Sequence, residues 1–198
     1  MPMNTTLEYY DENAEKYVKE SFALTARDNQ DMFLSFVKRG GHILDFGCGS
    51  GRDTAFFLMK GFTVQPTDGC ESICKLASEY LKMPVKVLEF NELDEEDEYD
   101  AVYASASIMH LEHDKLMELY PKIIRALKKD GILYASFEYG EEDGYVDMCY
   151  YTRMTEKKYT DFVEQFPQLK MVMQNTFHQK SGGTDLVWYQ SIVRKTGE

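Results

Sequence analysis

Gly47, Gly49 and Gly51 interrupt an apolar run that ends on an acid, in the stretch Ile43-Leu44-Asp45-Phe46-Gly47-Cys48-Gly49-Ser50-Gly51. Glycine reaches backbone angles closed to other residues and has no side chain to hold a ligand away. A turn built on alternate glycines therefore brings the main chain against whatever it cradles. Asp68 follows seventeen residues after the last glycine. That interval suits a carboxylate receiving the two hydroxyls of a ribose. Together the two features point to a ligand that carries a nucleoside.

The glycine spacing and one further acid narrow the choice. Dinucleotide sites usually read Gly-x-Gly-x-x-Gly, with a pyrophosphate at the bare N-terminus of the next helix. Here the third glycine comes one residue earlier, and Asp53 falls in the first helical turn. An acid there complements the helix dipole and repels a pyrophosphate. A ligand with positive groups and no phosphate is better tolerated. S-adenosylmethionine, with an ammonium, a sulfonium and an adenosine ribose, fits that description. Ile43-Leu44-Asp45, the three glycines and the later Asp68 resemble motifs I and II of the class I S-adenosylmethionine-dependent methyltransferases.

The resemblance carries further residues with it. It implies a cofactor cradle of Asp45, Gly47, Cys48, Gly49, Gly51 and Arg52, with Asp68 and Gly69 at the ribose. The loop after the third strand contacts adenine in that family, which points to Glu89, Phe90 and Asn91 here, with Glu92 beside them. Tyr99-Asp100 ahead of an apolar run resembles the family's fourth strand, and Ser105, between Ala104 and Ala106, lets the cofactor lie close to its end. His110 follows where many small-molecule methyltransferases hold a histidine beside the transferred methyl. It is the expected base, with Tyr10 and Tyr17 as alternatives for orienting the acceptor. Related small members commonly carry a Gly-Arg pair ahead of the position of Tyr150-Tyr151, whereas this chain has Met148-Cys149.

The elements that must position these groups are legible in outline. Arg52 to Lys60 has helical apolar spacing and stops at Gly61, and Phe62 to Thr67 reads as the second strand. Glu71 to Leu81 predicts a helix, Val85 to Phe90 a third strand, and Tyr99 to Ala106 a fourth. The strongly periodic Leu116 to Lys128 predicts another helix, in which Pro121 threatens a kink. Asp130-Gly131 then turns the chain into a fifth strand over 132–139. Ahead of the glycines, residues 7–20 and about 28–38 predict two helices, the first with Tyr10, Ala14, Tyr17 and Val18 on one face. The resemblance implies that they fold over the cofactor. Thr155 caps a helix over 156–166, and the strands 171–179 and 186–195 form a hairpin about Gly182-Gly183.

The expected fold is α/β: a doubly wound, mostly parallel, Rossmann-like sheet of seven strands, with an antiparallel C-terminal hairpin strand and N-terminal lid helices. Residues 1–40 form the lid and 41–198 the core, with 140–155 as an insertion on the substrate side. At 198 residues the length suits one domain. A formal charge of −12 disfavours nucleic acid and anionic membranes as partners. No signal peptide or membrane span is read, and Cys48, Cys70, Cys74 and Cys149 lack disulfide or metal-ligand spacing, so a cytoplasmic protein without a metal, monomer or homodimer, is expected. The functional expectation is methyl transfer from S-adenosylmethionine to a small molecule. Two alternatives stay open: a catalytically silent cofactor-binding or partner-binding module, and an NAD-dependent oxidoreductase.

Overall fold

A computed structural model of the chain describes residues 5–22, 27–181 and 184–197. Five parallel strands, β1 (His42–Phe46), β2 (Thr63–Asp68), β3 (Lys86–Val87), β4 (Tyr99–Ala104) and β5 (Leu127–Glu138), make up most of one sheet. A hairpin of β8 (Leu169–Ser181) and β9 (Thr184–Lys195) completes it, and only β9 runs against its neighbours. The seven strands stand in the order β3-β2-β1-β4-β5-β9-β8. A separate hairpin, β6 (Gly144–Val146) with β7 (Cys149–Tyr151), lies within the predicted insertion.

Alternation along the strands divides the core in two. Leu44, Phe46, Val102, Ala104 and Leu133 face α6 (His113–Ala126) and α7 (Glu156–Val163). Ile43, Ala101, Tyr103 and Tyr134 face Phe33 of α3 (Arg27–Leu34) and Phe57 of α4 (Arg52–Met59). The sheet is thus covered on both faces, as parallel strands require. The order reverses between β1 and β4, and the ends of those two strands open the crevice where ligands bind in such sheets.

Several boundaries depart from the sequence expectation. The N-terminal helix is two helices, α1 (Thr5–Glu12) and α2 (Ala14–Phe22), broken at Asn13. The Asn13 amide donates to the Tyr9 carbonyl at 2.8 Å, a local bond that competes with helical continuity. Both helices pack on α5 (Glu71–Leu81). The third strand shrinks to Lys86–Val87 at the sheet edge, because Glu89 and Glu92 cap a 3₁₀ turn over Phe90–Glu92 that draws the chain away. Helix α6 starts at His113 and continues through Pro121, held by the buried Leu116, Leu119, Tyr120, Ile123 and Ile124. β5 begins at Leu127 instead of after the Asp130-Gly131 turn; Asp130 keeps a positive φ of 62° where the pairing with β4 shifts register. The Gly182-Gly183 turn falls outside the described residues.

Candidate functional site

The turn after β1 is folded by its own backbone. Gly47 and Cys48 N–H both donate to the Thr67 carbonyl, at 2.9 and 2.8 Å, which ties the loop to the end of β2. Gly47 sits at φ 82°, and a Cβ there would lie 2.5 Å from Ser107 Cβ. Ser107 in turn donates to the Phe46 carbonyl at 2.6 Å. A side chain at Gly47 would therefore push apart the ends of β1 and β4.

Asp68 closes the second side. Its carboxylate accepts from Gly49 N–H and from Cys70 N–H, each at 3.0 Å. Burial raises its pKa above the ordinary 3.8, and these backbone donors oppose the shift. Asp68, Gly47, Gly69, Glu89, Phe90 and Asn91 all line one cavity of about 310 Å³. Tyr10, Tyr17 and His110 line it from the other side.

His110 ends a 3₁₀ turn, Ile108–His110, that follows β4. Its Nδ1 lies 2.8 Å from the Tyr150 carbonyl, which can only accept, so Nδ1 carries the proton. Burial lowers the imidazole's pKa below 6.5, leaving it neutral at pH 7. Nε2 is then a bare acceptor and takes the Tyr10 hydroxyl at 2.9 Å. Burial also holds the Tyr10 phenol well above its ordinary 10, so Tyr10 is the donor. The Tyr10 ring meets Tyr17 edge-on at 5.0 Å, and Tyr151 meets His110 edge-on at 4.9 Å. Hairpin β6–β7 thus fixes the tautomer of an imidazole that the first helix covers.

Six of the sequence-predicted residues lie outside this cavity. Asp45 is buried beneath the loop, where Thr54 Oγ1 donates to it at 2.5 Å. Burial, then the nearby Asp53, pushes its carboxyl from 3.8 up to about 8. Cys48 packs against Cys74, Ala77 and Val85. Gly51 forms the N-cap of α4 and abuts Leu81. Arg52 pairs with Asp53 at 3.1 Å and donates to the Ser21 carbonyl at 3.1 Å. Gly49 is covered by Tyr17, whose hydroxyl would lie 2.8 Å from a Cβ at that residue. Ser105 gives way to Ala106 and Ser107, which line the cavity in its place.

Sequence reasoning also passed over residues that do line it. Ser107 belongs to the same small-residue run as Ser105, two residues on. Lys115, Glu118, Leu119 and Lys122 form one face of α6, spaced at three and four; the apolar period of that helix takes in Leu119 and passes over the three charged residues. Leu7 and Ile73 come from helices whose mutual packing no local pattern reveals. Among the described residues no cluster of metal-ligating side chains occurs.

Residues 43–131 match the model of a family described as a methyltransferase domain. Comparison with curated protein sequences gives no match. Among solved structures, a 1,6-didemethyltoxoflavin N1-methyltransferase of Burkholderia thailandensis, with 1,6-didemethyltoxoflavin and S-adenosylhomocysteine bound, superposes with a TM-score of 0.79. It is 20% identical over 96% of this chain and 87% of its own. The [4+2]-cyclase SpnF superposes at 0.80 with 11% identity, over 100% and 98% of the two chains. An S-adenosylmethionine-dependent methyltransferase of Methanosarcina mazei reaches 0.74 at 16% identity, over 84% and 98%. These likenesses establish the fold.

Proposed function

Because residues 43–131 belong to the methyltransferase domain family, we propose that this chain moves the methyl group of S-adenosylmethionine onto a small-molecule acceptor. One observation carries the reading: the Gly47 turn, the Asp68 carboxylate and the His110 imidazole converge on a single cavity. The residues suit the cofactor. The cradle has no room for a Cβ at Gly47, Asp68 offers a carboxylate at the end of β2, and the chain's net charge of −12 favours a cationic ligand.

The cofactor supplies a methyl group already activated on a sulfonium. In this reading Asp68 receives the ribose hydroxyls, Glu89, Phe90 and Asn91 border the adenine, and the segment from Cys48 to Arg52 underlies the amino-acid end. The remaining task is to hold the acceptor in line, and positioning of this kind lowers a barrier by ~7–11 kcal/mol in favourable cases. His110 Nε2 takes the proton from an acceptor that has one to lose, while Tyr10 and Tyr17 orient it. Helices α1 and α2 act as the lid, and hairpin β6–β7 borders the acceptor.

The fold is shared with a cyclase as well as with methyltransferases, so activity has to be measured. Methyl-labelled S-adenosylmethionine is incubated with the protein and a cell extract, which is then fractionated. Label in the small-molecule fraction is the expected result. Label confined to protein or nucleic acid overturns the acceptor class, and no label at all favours the silent module.

A further inference from the structure

Both nitrogens of the His110 ring are already engaged. Nδ1 carries a proton that the Tyr150 carbonyl accepts at 2.8 Å. Nε2 has a single lone pair, in the plane of the ring, and the Tyr10 hydroxyl fills it from 2.9 Å. A molecule that enters beside the glycine turn therefore meets no free nitrogen on His110. It meets Tyr10, which lines the same cavity as Gly47, Asp68 and Ser107. The Tyr10 oxygen receives no hydrogen bond from any described residue, so it keeps a lone pair to offer.

The hydroxyl is held in place through its ring. Tyr10 meets Tyr9, Tyr17 and His110 edge-on at 5.6, 5.0 and 5.5 Å. Burial raises the phenol above its ordinary 10 and lowers the imidazole below 6.5, so both rest neutral. A neutral phenol that donates to a neutral imidazole takes a proton on its oxygen only as it passes its own to Nε2. The two transfers belong together.

We propose that Tyr10 touches the acceptor and relays its proton to His110, and that the acceptor is a hydroxyl or ring N–H compound that loses this proton on methylation. The inference rests on the methyl-transfer reading above and deepens it. The acceptor's O–H or N–H donates to the Tyr10 oxygen. As that oxygen or nitrogen bonds to the methyl carbon, the carbon–sulfur bond breaks and leaves its electron pair on sulfur. The acceptor's proton passes to the Tyr10 oxygen, and the Tyr10 proton passes to Nε2. The imidazolium so formed keeps its Nδ1–H on the Tyr150 carbonyl and returns the extra proton to water. A tertiary amine or a thioether has no proton to give and gains nothing from this route.

Tyr10→Phe separates the relay from direct proton removal, because the two predict opposite signs. The variant keeps the ring contacts and loses only the hydroxyl. With Nε2 bared, direct removal would hold or quicken turnover, whereas the relay should lose about a hundredfold. Turnover is read with methyl-labelled S-adenosylmethionine and the small-molecule fraction of a cell extract. Single-turnover rates in mixtures of light and heavy water should curve with deuterium content in the wild type, as two moving protons require, and run straight in Tyr10→Phe. The labelled product should be a methyl ether or an N-methyl heterocycle. One readout needs no turnover: the His110 Nε2 resonance should move in Tyr10→Phe while Nδ1 stays. Undiminished turnover in Tyr10→Phe, a straight wild-type line, an unmoved Nε2 resonance, or a quaternary ammonium or sulfonium product overturns the relay alone. No labelled small molecule from the wild type overturns it together with the methyl-transfer reading.

Discussion

Asp68 holds two backbone N–H groups, and the ribose role proposed for it would add a second duty that shapes what its loss should do. Charged hydrogen bonds contribute roughly 1.5–3 kcal/mol each, so Asp68→Ala should weaken S-adenosylhomocysteine at least about tenfold in a protein that still folds. Asp68→Asn keeps an acceptor for Gly49 N–H and should retain more affinity than alanine. Unchanged calorimetric affinity in folded Asp68→Ala would remove Asp68 from the ribose. Asp45 tests the other acid. Its folded carboxyl is raised from 3.8 to about 8, so between those values the folded state holds a proton that the unfolded chain has released. Its contribution is therefore most favourable below pH 4 and is lost as pH rises towards 8. The gap in unfolding free energy between Asp45→Asn and wild type should shift in the variant's favour across that window, measured by urea titration at several pH values. A pH-independent gap would mean that Asp45 is ionised at neutrality. Both acids could be named from sequence, because the strand, the glycines and the interval to Asp68 are local. Their environments could not, since it is burial, then the charge of Asp53, that raises Asp45 against the opposing Thr54 hydrogen bond, and none of these is set by local sequence.

Helices α1 and α2 bury fully only Thr6 and Ala14 among their described residues, so they should detach easily. Their amides should exchange faster than those of α6 in the free protein and slow with S-adenosylhomocysteine. Deleting residues 1–22 should abolish turnover while circular dichroism still reports the sheet. Equal exchange with and without ligand would make these helices ordinary core. Periodicity found this region as a helix, yet the break at Asn13 was hidden, because a side-chain bond to the Tyr9 carbonyl leaves no mark on apolar spacing. The short β3 was hidden for a related reason. Val85 to Phe90 has the composition of a strand, and the acids Glu89 and Glu92 turn it aside by capping each other's backbone. Pro121 misled in the opposite sense: the buried face of α6 outweighs the missing N–H.

At the scale of the molecule the order β3-β2-β1-β4-β5-β9-β8 explains why residues so distant in sequence meet. The reversal between β1 and β4 brings Gly47 to Ser107, and the two crossovers on one side bring Asp68 to the same crevice. Alternating strands and helices made this architecture readable through β5. The contact of hairpin β6–β7 with His110 through the Tyr150 carbonyl was not readable, because nothing local sets which side chain a hairpin will touch. The whole chain responds to its ligand through the same crevice, since a group that binds only the folded state stabilises all of it. At one hundred times its dissociation constant S-adenosylhomocysteine should add about 2.7 kcal/mol. For a chain of this size that amounts to a rise in melting temperature of roughly 5–10 °C. NADH at equal concentration should give none, because Asp53 stands in the first turn of α4, where a pyrophosphate would sit. Differential scanning calorimetry with both ligands decides between them: a shift with NADH and none with S-adenosylhomocysteine would return the site to the dinucleotide class.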